Sequence, residues 1–290
     1  MPTSYSPEII AHAGSLLARY DVLLCDIWGV VHDGKVALPA SNDALTRFRS
    51  GGGTVILVSN APVPPDAVAR LLDDKAVPRS AWDRIVSSGG LALNLIHSRG
   101  YRHVHRIGPA VRDALFFAGL PPDAPLAKAD VIACTGPFDD RRETGEDYRA
   151  RLVEPAKRGV PLVCANPDLV VHVGHDLLPC AGAIGVVYES LGGKVVWPGK
   201  PHPIAYRSAL EMAADLRGFS TRKTRVLAIG DAVRTDLAAA AGAGVDALFI
   251  ASGIHRDAVL VDGRIGPQTL EAELRTGGFG ATAAMVALVW

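Results

Sequence analysis

The sequence predicts an α/β protein, a doubly wound parallel-sheet core into which a second α/β domain is inserted. Three observations carry this reading. Short apolar runs alternate with helical stretches along most of the chain. Several runs are apolar throughout, as in strands buried on both faces. And 290 residues with 49% hydrophobic content can bury a large core shared between two domains.

The elements follow in chain order. Candidate strands are Val22 to Cys25, Thr54 to Ser59, Arg84 to Ser87, His103 to Ile107, Val131 to Cys134, Pro161 to Ala165, Lys194 to Val196, Arg225 to Ile229 and Ala247 to Ile250. Helical stretches lie at 40–50, 64–75, 89–99, 109–118, 145–158, 180–192, 203–217 and 232–242. Strand followed by helix, repeated, gives crossover connections and hence a parallel sheet covered on both faces. Gly100 closes one helix before a new strand, and Trp197-Pro198-Gly199 interrupts the chain after Gly192-Gly193. These breaks set the expected domains: core at 1–100, insert at 101–196, and the remaining core at 197–290. A late hairpin is expected at Val259 to Ile265, turning at Asp262-Gly263.

Composition narrows the function classes. Thirty basic and 30 acidic residues cancel, and no basic cluster is interleaved with aromatics, so nucleic acid is not an expected partner. No apolar run reaches membrane-spanning length, and the first twenty residues lack the pattern of a secretory signal. Cys25, Cys134, Cys164 and Cys180 have no CxxC spacing, and they read as buried thiols of a protein in the reducing cytoplasm.

Four pieces could carry chemistry, and each has an ordinary reading beside it. Asp26 ends an apolar run and enters the turn Trp28-Gly29-Val30; a lone strand-end aspartate also serves as a cap. The run Val55 to Val58 ends in Ser59-Asn60, a hydroxyl and an amide that suit a phosphate as well as a turn. Lys200 sits in Gly199-Lys200-Pro201-His202-Pro203, stiffened by two prolines at a helix entry, although most lysines are solvated. Gly230-Asp231-Ala232-Val233-Arg234-Thr235-Asp236 places two carboxylates after a strand, either as helix caps or as hard oxygen ligands. Taken in order, all four would meet at the carboxyl edge of one parallel sheet, where ligands bind.

In these four motifs the chain resembles the haloacid dehalogenase superfamily of phosphotransferases. Asp26, Ser59, Lys200 and Asp231 with Asp236 match its motifs in sequence. Ala165-Asn166-Pro167-Asp168, Leu178-Pro179-Cys180-Ala181-Gly182-Ala183 and Gly-Asp-Ala-Val-Arg-Thr-Asp-Leu are similar to subclass IIA, which carries a large α/β cap between the second and third motifs. The resemblance runs from about residue 20 to residue 255. It implies a Mg2+-dependent phosphatase acting on a small phosphorylated metabolite, and it points to a homodimer. Asp26 is then the nucleophile that forms an aspartyl-phosphate. Asp26, the backbone carbonyl of Trp28 and Asp231 hold the metal, with Asp236 behind them. Ser59 and Lys200 hold phosphoryl oxygens. Asn60 joins them in binding substrate, and Asn166 and Asp168 become cap-side contacts; an Asn-Pro turn with a capping aspartate is the plain alternative for the last two.

The first motif departs from the family pattern at Trp28, where a second aspartate is expected to protonate the leaving oxygen and later activate water. General acid-base help is worth about 100 to 10,000-fold, or about 3 to 5 kcal/mol. Three readings follow. The substrate has a leaving group that needs no proton, such as an acyl, aryl or anhydride phosphate. Another group substitutes, with His32 and Asp33 the local candidates. Or the protein is catalytically weakened and binds a phosphometabolite as a sensor or interaction module. Elsewhere, His172 and His175 lack a third metal ligand and read as structural, as do His103 and His105. Arg141-Arg142 reads as solvated.

Overall fold

A computed structural model describes residues 4–173 and 176–290. The chain forms two compact units. One comprises the residues up to Ser59, Ala69–Val86 and Pro201–Trp290; the other comprises Asn60–Val68 and Ser87–Lys200.

The first unit is built on a seven-stranded sheet. Its order is Glu8–Ile9, Ala283–Met285, Asp246–Ile250, Val226–Gly230, Val22–Cys25, Thr54–Ser59 and Arg84–Ser87. Val22–Cys25 pairs in parallel with Val226–Gly230 on one side and Thr54–Ser59 on the other. Every residue of Val22–Cys25, Val226–Gly230 and Asp246–Ile250 is buried, which is why 22–25, 226–230 and 247–250 read as uninterrupted apolar runs. Pro39–Ser50 and Pro203–Arg217 each start with proline, whose fixed φ suits a first helical turn. Gly218 ends the second in the left-handed conformation.

The second unit has its own parallel sheet, in the order Val195–Val196, Leu162–Cys164, Val131–Cys134 and Val104–Ile107. Its boundaries lie outside the expected 101–196. The helix Ser88–Ser98 buries Ala92 and Ile96 in one cluster with Val104, Phe116, Val131 and Ala133, so packing assigns it to this unit. A hairpin, Val170–Val173 with Asp176–Pro179, is antiparallel. His175 lies outside the described residues.

The predicted hairpin is present, with Leu260–Val261 paired to Arg264–Ile265 and positive φ at both Asp262 and Gly263. The stretch 109–118 is helical only over Ala114–Ala118. The stretch 232–242 opens as a π-turn, Val233–Leu237, before continuing as a helix. Glu8–Ile9, Ala283–Met285 and the helix Pro267–Gly277 were not anticipated. The two strands are too short for a periodic signal, whereas the helix carries proline at its start and Gly278 beyond its end. All four cysteines are buried and in no disulfide. Among the described residues, no helix is long and apolar enough to cross a membrane.

Candidate active site

Three carboxylates converge at the carboxyl edge of the seven-stranded sheet. Cys25 is in register with both Leu57 and Ile229, and the Asp26 N–H donates to the Ile229 carbonyl at 2.8 Å. Ser59 therefore ends the strand on one side of Asp26 and Asp231 follows the strand on the other, at the same edge. Asp26, Asp231 and Asp236 each offer an oxygen within 4.8 Å of the others. Like charges this close are stable when a cation sits among them, and three hard oxygen donors fit Mg2+.

The local backbone fixes these groups. Asp231 is 5% exposed, and its Oδ2 accepts the Ile254 N–H at 2.7 Å. Two glycines close on that carboxylate: a Cβ at Gly29 would lie 2.3 Å from Oδ2, and one at Gly253 would lie 1.9 Å from it. Gly29 also has φ +83°, so glycine is required there for both conformation and space. Asp236 is buried in the π-turn, where its Oδ2 accepts the Ala232 N–H at 3.1 Å. The wider turn is a recurrent device for aiming a side chain at a site.

A further layer, absent from the sequence motifs, involves His255 and Glu273. The Val233 N–H donates to His255 Nε2 at 3.2 Å, and His255 Nδ1 lies 2.8 Å from Glu273 Oε1. Because Nε2 accepts from a backbone amide, the imidazole is neutral and gives its Nδ1 hydrogen to Glu273. Burial lowers the His255 pKa against the opposing pull of Glu273. Gly253, directly after an apolar strand and Ser252, was a legible turn signal at the ligand-binding edge. Glu273 belongs to the helix Pro267–Gly277.

Trp28 is 40% exposed. Its indole meets the His32 ring edge to face, with centroids 5.3 Å apart and planes at 69°. It also lies over Gly34, where a Cβ would fall 2.5 Å from Cζ2. His32 is buried and accepts the Gly34 N–H on Nδ1 at 2.9 Å. Burial, then the charge of Lys75, push its pKa down to about 4. Asp33 accepts the N–H groups of Lys35 and Val36, each at 2.8 Å, and these bonds hold its pKa below the ordinary carboxylate value. Of the two candidates for the missing acid, His32 braces the indole and Asp33 closes a turn.

In the second unit, Asn60 is 6% exposed and Lys200 2%. The Asn60 amide clamps Lys200 at both ends: Oδ1 accepts the Lys200 N–H at 2.8 Å, and Nδ2 donates to the Lys200 carbonyl at 3.0 Å. Nδ2 also donates to Asp168 Oδ1 at 2.9 Å, which commits both amide hydrogens. The geometry makes Asn60 a positioning residue for the lysine loop, where sequence had offered it as a direct contact. Asn166 Oδ1 accepts the Asp168 N–H at 3.1 Å, an Asx turn. The turn sets Asp168 against Asn60. Arg141 pairs with Asp176 at 2.8 Å on the surface, and His105 Nδ1 lies 2.9 Å from the Ala124 carbonyl.

Comparison with known proteins agrees with this arrangement. The model of haloacid dehalogenase-like hydrolases matches residues 23–118, and a HAD-hydrolase-like model matches residues 197–275. A crystal structure of a haloacid dehalogenase-like hydrolase from Brucella suis 1330 is 39% identical, with TM-score 0.83, covering 98% of this chain and 100% of that one. The 5'-nucleotidase YutF of Bacillus subtilis (strain 168) is 24% identical over 249 residues, 85% of this chain and 93% of its own. The ribonucleotide monophosphatase NagD of Escherichia coli (strain K12) is 24% identical over 237 residues, 80% of this chain and 88% of its own. The chain belongs to the haloacid dehalogenase-like hydrolases. Its class of activity is that of a hydrolase.

Proposed function

We propose that the protein hydrolyses a small phosphorylated metabolite by a Mg2+-dependent route through an aspartyl-phosphate on Asp26. The observation that carries this reading is the convergence of Asp26, Asp231 and Asp236 beside the strand that ends in Ser59. Asp26, the Trp28 carbonyl and Asp231 would hold the ion, with Asp236 orienting Asp231 or a bound water. When bound, Mg2+ offsets negative charge on the phosphoryl oxygens.

The chain's own residues divide the work. An Asp26 oxygen attacks phosphorus; its bond to phosphorus forms as the ester P–O bond breaks, and the electron pair leaves on the departing oxygen. Water then cleaves the acyl phosphate, releasing inorganic phosphate and restoring the carboxylate. Ser59 and the Lys200 ammonium would hold phosphoryl oxygens, with Asn60 fixing the lysine loop. Asn166 and Asp168 stand as candidate contacts for the rest of the substrate.

Trp28 supplies no proton to the departing oxygen; His32 Nδ1 is taken up by the Gly34 N–H and Asp33 Oδ1 by the amides of Lys35 and Val36. The reading therefore favours acyl, aryl or anhydride phosphates over sugar phosphates. The same indole favours a second reading, in which a phosphometabolite is bound without turnover. Assays with nitrophenyl phosphate, acetyl phosphate and a panel of sugar phosphates in Mg2+ separate the two. Turnover of the first two that is lost in Asp26→Asn supports the enzyme, and no turnover of any of them leaves the binder.

A further inference from the structure

Trp28 follows Asp26 by two residues, in the turn whose Gly29 packs against Asp231. Its Cα lies within about 7.6 Å of that of Asp26, two residues away along the chain. The next residue, Gly29, presses its Cα against the Asp231 carboxylate. Large aromatic side chains are highly buried on average, yet this one is 40% exposed.

Its exposure is combined with rigidity. His32 meets one edge of the ring and Gly34 lies beneath the six-membered part. The brace is itself tied down, because the Gly34 N–H bonds His32 Nδ1 and the Gly34 carbonyl accepts from Lys75 Nζ at 2.7 Å. Gly34 has φ +94° and no room for a Cβ, so the turn is shaped to accept the indole. A fixed aromatic with open surface gives up little conformational freedom when a ligand stacks on it.

We propose that Trp28 is a stacking platform for an aromatic leaving group, which makes aryl phosphates the substrate class. This rests on the phosphatase reading and narrows it. One residue accounts for both halves of the specificity. An aryl oxygen departs as a phenolate-like anion, with a conjugate acid near pKa 10, and keeps the electron pair of the broken P–O bond without needing an acid. A sugar oxygen, with a far weaker tendency to depart as an anion, requires the proton that position 28 does not supply. An acyl phosphate also departs unaided but offers no ring to stack.

Phenylphosphonate and methylphosphonate test the platform without turnover, since the C–P bond is not hydrolysed. Calorimetry in Mg2+ on wild type, Trp28→Phe, Trp28→Leu and Trp28→Ala reads the ratio of the two dissociation constants. Wild type is expected to prefer the phenyl compound, Trp28→Ala to lose about threefold to tenfold of that preference, and Trp28→Phe to keep most of it. Trp28→Leu, which keeps apolar bulk without a π face, should resemble alanine. A ratio within twofold of wild type in both Trp28→Ala and Trp28→Leu overturns the proposal. In parallel, the ratio of KM for nitrophenyl phosphate to KM for acetyl phosphate should rise in Trp28→Ala. If wild type turns over neither ester, the phosphatase reading fails, while the phosphonate ratio still decides whether the indole is a platform.

Discussion

Oδ2 of Asp231 and the Cα of Gly253 are packed so closely that a Cβ on residue 253 would fall 1.9 Å from the oxygen. The adjacent Ile254 N–H holds the same oxygen at 2.7 Å. The loop after the strand Asp246–Ile250 is therefore a clamp on the carboxylate, and a methyl group there must displace it. Gly253→Ala is expected to lower kcat/KM by about 100-fold, the cost of moving a reacting group by about 1 Å. Circular dichroism should show the fold retained, and activity within threefold of wild type would contradict the clamp.

Trp28→Asp should supply the acid that the first motif lacks. Hydrolysis of sugar phosphates is expected to gain about 100-fold or more, while nitrophenyl phosphate gains far less because its leaving group needs no proton. A steady-state comparison of the two substrates checks this. Equal gains on both would show that protonation is not what position 28 withholds.

His255 links Glu273 to the first amide of the π-turn that carries Asp236. Replacing it with phenylalanine leaves the Val233 N–H without that acceptor and loosens the turn. His255→Phe is expected to weaken Mg2+ binding by about 10 to 100-fold, with Glu273→Gln milder. Calorimetric titration of Mg2+ in the absence of substrate reads this directly. Unchanged metal affinity with lowered melting temperature would reduce the pair to a packing role.

His32 gives the fold a defined sensitivity to acid. Its pKa falls from 6.5 in the unfolded chain to about 4 in the fold, mainly through burial. The unfolded state thus binds the proton first as pH falls. Stability is fully present above pH 6.5, declines below it, and loses ~3 kcal/mol once pH has passed below about 4. His32→Asn keeps an acceptor for the Gly34 N–H but does not titrate. Urea unfolding between pH 7 and pH 4 should show a shallower decline for this variant, and parallel curves would contradict the assignment.

The core strands were legible because buried parallel strands are continuous apolar runs, as in Val22–Cys25 and Val226–Gly230. The carboxylate cluster was legible because residues at those strand ends must share an edge. The roles of Asn60 and His255 were not. Asn60 acts through two bonds to Lys200, 140 residues away in sequence, and no local pattern encodes that pairing. His255 depends on Glu273 in a different element, and no local pattern encodes that pairing even though Pro267 and Gly278 bound the helix. Trp28 could be read as a missing acid from sequence. That it is braced and exposed required the turn at Gly34.

The central claim is that Asp26 accepts the phosphoryl group, and rapid quenching of wild type with nitrophenyl phosphate in Mg2+, followed by mass spectrometry of the peptide containing residue 26, tests it most directly. A phosphate adduct on Asp26 that vanishes with hydroxylamine, together with loss of turnover by at least about 1,000-fold in Asp26→Asn, is the predicted result. Turnover that persists in Asp26→Asn, with no adduct at residue 26 in wild type, would contradict it.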